Sequence, residues 1–161
     1  GSARHAWPDQ VAQRLQRRSH CPLCSDYRQN RMSKFEPFAI ALRLSGVTLQ
    51  QQELDTALKQ LSSRFEPEDA EDSFYAQVDV PTTNPVRAIL ELAERSGATI
   101  GAMLDDRRIG KAVLDIAFDY PAEGESMSAR LPAHAAAAIS GHGIDIEISV
   151  YLTDVEDDED A

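Results

Sequence analysis

Apolar and polar residues alternate one by one through Ile144-Asp145-Ile146-Glu147-Ile148-Ser149-Val150-Tyr151-Leu152-Thr153. A two-residue period in β-branched residues marks a strand with one buried face and one wet face. The same period places Phe38, Ile40, Leu42 and Leu44 on one side of a first strand, which Ser45-Gly46 ends. It sets Phe74, Ala76, Val78 and Val80 inward on a second, stopped by Pro81, and Leu114, Ile116, Phe118 and Tyr120 inward on a third.

Between these strands the spacing lengthens to three and four residues, the period of helices. Thr48 with Gln51 has the form of a capping box, opening a helix to about Gln60 with Leu49, Leu54, Ala57, Leu58 and Leu61 on its apolar side. Asn84-Pro85 is a cap and first-turn pair for a long helix reaching about Asp106. Gly97 and Gly101 lie inside it at about 1 kcal/mol each relative to alanine, so the spacing predicts a helix bent or interrupted near Gly97. Pro132 starts a short alanine-rich helix through Ser140, ended by Gly141. Glu66 to Asp72 reads as a charged loop without hydrophobic anchors, and Pro121 to Arg130 as a flexible one.

The expected order is β-α-β-α-β-α-β. A sheet covered on both sides carries near-continuous apolar runs, whereas each strand here has one apolar face. The expected fold is therefore α+β: a two-layer sandwich of a four-stranded sheet with about three helices on one face and the other face open. The outward positions are then Ala39, Ala41 and Arg43; Tyr75, Gln77 and Asp79; Asp115, Ala117 and Asp119; and Asp145, Glu147, Ser149 and Tyr151.

Charge adds to this picture. A chain of 161 residues with 42% hydrophobic residues is one ordinary globular domain with at most a short appendage. Residues 1–31 hold six arginines against Asp9 and Asp26, yet the whole chain has a formal net charge of −11. The expected organisation is an arginine-rich extension over 1–31, a single domain over 32–153, and a self-repelling acidic tail over 154–161. Gly1-Ser2 reads as a tag remnant and Met32 as a natural start. So acidic a body repels nucleic acid and anionic lipid and favours a basic partner. No apolar run approaches the roughly 18 residues of a membrane span, and no secretory signal pattern opens the chain, so a cytoplasmic protein is expected.

The chemistry follows from the wet face. Tyr75, Asp79, Asp115 and Asp119 are expected to share it with Asp145, Glu147 and Tyr151. Tyrosine gives rigid contact area and carboxylates steer a cationic protein into place. Carboxylates on one face could instead gather a divalent cation, though their spacing fixes no coordination shell. A different reading takes Cys21 and Cys24 as half of a zinc site in a small regulatory or dimeric protein, with His20 or His5 as a third ligand and another chain completing it. His134, His142 and the Arg107-Arg108 pair read as turn and helix-end residues. No nucleophile–base set, glycine-rich phosphate loop or metalloprotease motif occurs, so neither catalysis nor a cofactor is expected. An uncharacterised small-molecule-binding domain is a further alternative.

Ala41-Leu42-Arg43-Leu44-Ser45-Gly46, the helix from Pro85, and Leu131-Pro132-Ala133-His134 leading into the Ile144–Leu152 strand together resemble the bacterial family called domain of unknown function 4279. The likeness spans roughly residues 36–153 and rests on core and turn positions. It implies a fold and carries no activity to named residues. By size, charge and form the chain is also similar to immunity proteins that neutralise basic bacterial toxins, an analogy that implies such a toxin as partner. The arginine-rich N-terminus departs from the family's pattern; it reads either as translated upstream sequence or as a segment that folds onto the acidic face of another copy and makes a homodimer.

Overall fold

The computed structural model describes residues 35–153 apart from 71, 122 and 125. The elements below lie in one compact unit formed by Phe35–Met127 and the chain from Leu131 onward. The zinc reading at His20, Cys21 and Cys24, the arginine-rich extension and the acidic tail lie outside the described residues.

The sheet is built from β1 (Ala39–Val47), β2 (Arg64–Pro67), β3 (Phe74–Val80), β4 (Lys111–Pro121) and β5 (Asp145–Thr153), in the spatial order β2-β3-β1-β4-β5. β4 and β5 run parallel, and the other neighbours are antiparallel. Parallel neighbours need a crossover, which α4 (Ala133–Ser140) supplies between β4 and β5. The remaining helices are α1 (Gln51–Leu58), α2 (Pro85–Leu92) and α3 (Ala98–Asp105); the last two are joined without a break by a π-helical turn, Ala93–Gly97.

Alternation decides which face is buried. Ile40, Leu42, Leu44, Val78, Leu114 and Ile116 are buried in one cluster with Leu54, Leu58, Ile89, Ile100, Met103 and Ile139 from the helices. Each fully buried Leu or Ile contributes about 2 kcal/mol. The expectation of an α+β fold with helices on one side of an open sheet holds. Ala117 is buried on the opposite side, a single methyl between its register partners Ala39 and Ser149.

The sheet has five strands rather than four. Arg64 and Phe65 with the first two residues of the expected charged loop, Glu66 and Pro67, form β2 and pair with β3, Phe65 stacking on Phe74 at 4.8 Å between ring centroids. The loop beyond is anchored as well: Glu68 Oε1 accepts the Gly46 N–H at 2.6 Å, where β1 bulges before Val47. Gly46 has φ +62° there, which suits glycine.

The capping box does not form. α1 starts at Gln51 without a side-chain cap, and the Thr48 hydroxyl donates instead to the Arg108 carbonyl at 3.3 Å. The long helix stays continuous but loses α-geometry near Gly97, where the sequence predicts an irregularity, and the π turn there has a use. It points Ser96 at the end of α1, where its hydroxyl donates to the Leu58 carbonyl at 2.7 Å. That satisfies a carbonyl a helix end leaves open.

β5 departs most from the expected pattern. Ile144 is buried, but Ile148, Val150 and Leu152 are 54%, 54% and 69% exposed. Of this row only Ile144 and, in part, Ile146 pack into the core, so the cover of the helices ends short of the later residues of this edge strand.

Candidate functional site

The open face of the sheet collects every residue singled out for partner binding. Register fixes the layout. Asp115 stands between Ala41 and Glu147, Asp119 faces Tyr151, Asp79 faces Ala41 and Asp145 faces Val113. Strand pairing thus brings residues from three parts of the sequence onto one surface.

Arg43 reorganises the charge on that surface. Its Nη2 donates to Glu147 Oε1 and lies 3.3 Å from Asp115 Oδ2. Ser149 Oγ donates to Asp115 Oδ1 at 2.7 Å. The Asp115 side chain is only 14% exposed, so its charge is held by a cation and a hydroxyl rather than by water. Burial works against the Arg43 charge, yet the hydrogen bond to Glu147 and the fields of Asp115 and Glu147 outweigh it and raise its pKa above the ordinary arginine value. Both carboxylates engage Nη2; the buried Nε finds no acceptor among the described residues.

A second polar network runs over β2 and β3. Arg64 clasps Glu66 through two bonds, 2.8 and 3.0 Å, and lies 5.5 Å above the Tyr75 ring. The hydrogen bond from Arg64 lowers the Glu66 pKa. Tyr75 donates to Gln77 Oε1, and Gln77 Nε2 donates to Asp79 Oδ1, each at 3.0 Å. Burial, with the nearby carboxylates Asp115 and Glu66, raises the Tyr75 pKa against the opposing pull of Arg43 and Arg64.

What remains for an incoming cation is narrower than the sequence implies. Asp115 and Glu147 are engaged by Arg43, whereas Asp79, Asp119 and Asp145 are exposed and have no cationic partner among the described residues. Tyr151 is exposed and meets Phe38 edge to face at 5.6 Å. Asp119, the register partner of Tyr151, joins this aromatic pair where β1 enters the sheet, whereas Asp145 lies at the opposite end of β5 and Asp79 faces Ala41 from β3.

Among the described residues, no group of three His, Cys, Asp or Glu side chains converges to hold a metal ion. A depression of about 640 Å³ lies along α1 between Gln51 and Leu61, open to solvent and away from the sheet face. No described helix is long and apolar enough to cross a membrane. His142 packs against Gly97, while Arg107 and Arg108 lie in the turn after α3, as turn and helix-end residues do. No family model matches the chain, and no curated protein or solved structure matches it.

Proposed function

We propose that the protein is a non-catalytic binding module that docks a cationic partner protein on its open sheet face. The observation that supports this reading is the face itself: five strands, no helix over them among the described residues, and three exposed aspartates spread across it, of which Asp119 adjoins Tyr151 and Phe38. Aromatic area supplies contact energy, and unpaired carboxylates supply steering and register. The Arg43 triad ties β1, β4 and β5 together across this face, which favours a preformed docking surface. An immunity protein against a basic toxin is the narrower form of this proposal, favoured by size and acidic charge.

The test replaces Asp79, Asp119 and Asp145 together by lysine and leaves the Arg43 network intact. Wild type and variant are titrated by calorimetry against a panel of basic secreted nucleases, with an acidic protein as control. A member of the panel should bind wild type more weakly as salt rises, and the variant at least about tenfold more weakly still. Equal affinity for both forms, or no binding of any basic protein, rejects the proposal.

A further inference from the structure

The two edges of the sheet are built differently. β2 is four residues long, carries the Arg64–Glu66 pair and ends in Pro67. Short length, charge and proline are the means by which an edge is kept from pairing. β5 is neither short nor closed by proline, and its only charges lie in its first half. It is nine residues long, about 30 Å of unbroken strand, with no proline, glycine, lysine or bulge. Its outer edge has no neighbour among the described residues, and Ile148, Val150 and Leu152 are more than half exposed on it.

Charge along β5 is lopsided in a way that selects the occupant. Both carboxylates, Asp145 and Glu147, sit in the first half, while Tyr151 and Thr153 fill the same face of the second. A parallel neighbour of the same sequence in register would set carboxylate beside carboxylate. An antiparallel neighbour centred on Ser149 does the opposite: Glu147 meets Tyr151, Asp145 meets Thr153, and no like charges oppose. On the other face the same register sets Ile148 against Val150 and Ile146 against Leu152, twice over by symmetry. Directly opposed β-branched and aromatic pairs are favourable units of sheet pairing, and a two-fold edge contact closes after two copies.

We propose that β5 is a self-association edge, pairing antiparallel with β5 of a second copy about Ser149 to join two sheets into one of ten strands. The dimer covers the apolar row that the helices leave bare and aligns the two open faces side by side. It stands independently of the docking proposal, since it rests on the unpaired edge and apolar row of β5 and needs no cationic partner.

The test measures the mass of the full chain by sedimentation equilibrium from low to high micromolar concentration. Wild type should double in mass. Ile148→Lys with Val150→Lys in one preparation, and Ile148→Glu with Val150→Glu in another, should each stay monomeric. Mixed, they should form a heterodimer, because position 148 of one copy faces position 150 of the other. A monomeric wild type at every concentration overturns the proposal, as does dimerisation of both variants alone or a mixture that stays monomeric while circular dichroism shows both folded. Hydrogen exchange on the unmodified chain is a second measurement. Amides over 145–153 should gain protection as concentration rises, and protection independent of concentration overturns the pairing even where a variant does not fold.

Discussion

Arg43 reaches Glu147 across β4, although 104 positions separate them in the chain, and it takes Asp115 between them into the same contact. Asp115 and Glu147 are register partners on adjacent strands, and like charges in that position repel. Arg43 comes from one row along the sheet and turns the repelling pair into a triad. Arg43→Ala should therefore lower stability by about 1–2 kcal/mol, a partly exposed ion pair being worth less than a buried one. In a background of Asp115→Asn and Glu147→Gln the same change should cost clearly less. Urea unfolding of the four proteins reads both numbers; equal costs would mean that Arg43 acts by packing alone.

Gly97 and His142 make a second pair that can be tested by sign. Alanine in place of a helical glycine ordinarily stabilises by about 1 kcal/mol. Here a Cβ on Gly97 would lie 2.6 Å from His142 Nε2, and one on Gly101 3.2 Å from the His142 carbonyl oxygen. The glycines let the turn before β5 lie on the helix. Gly97→Ala should thus destabilise the wild type, because the imidazole must move. In a His142→Ala background it should stabilise. Thermal unfolding of the double-mutant cycle checks this, and a stabilising effect in both backgrounds would show that the imidazole moves aside at no cost.

These pairs also mark how far the sequence could be read. The alternating strands and the glycine-marked irregularity were legible because each is a local pattern of hydrophobicity or backbone freedom. β2 was not: Arg64-Phe65-Glu66-Pro67 contains one apolar anchor, and its partner Phe74 is known only once the hairpin closes. Thr48 offered a sound local cap, but the Arg108 carbonyl, brought near by tertiary packing, took its hydroxyl. The outward carboxylates were placed correctly on the open face, yet reading them as equivalent missed Arg43. Which acids it pairs with depends on strand order, and periodicity does not encode strand order. The exposed end of β5 is the converse case, since alternation marks an apolar face without saying whether this chain supplies its cover.

Tyr75 gives the surface a pH dependence of defined sign. Burial, with the nearby carboxylates, raises its pKa above the ordinary value of 10, despite Arg43 and Arg64. The phenol is thus easier to ionise in the unfolded chain than in the folded one. Its contribution is fully present below pH 10 and is lost as pH rises through the folded value. Unfolding free energy should fall more steeply with pH above 10 in wild type than in Tyr75→Phe, which has no phenol to ionise. In phenolate absorbance, wild type should show a late-titrating component that Tyr75→Phe lacks. Arg64→Met should delay it further, because a cation that favours the phenolate is gone and Glu66 is released beside the ring. An earlier titration in Arg64→Met, or parallel stability curves for wild type and Tyr75→Phe, would show that water reaches the Tyr75 hydroxyl freely and that the polar chain over β2 and β3 does not hold it.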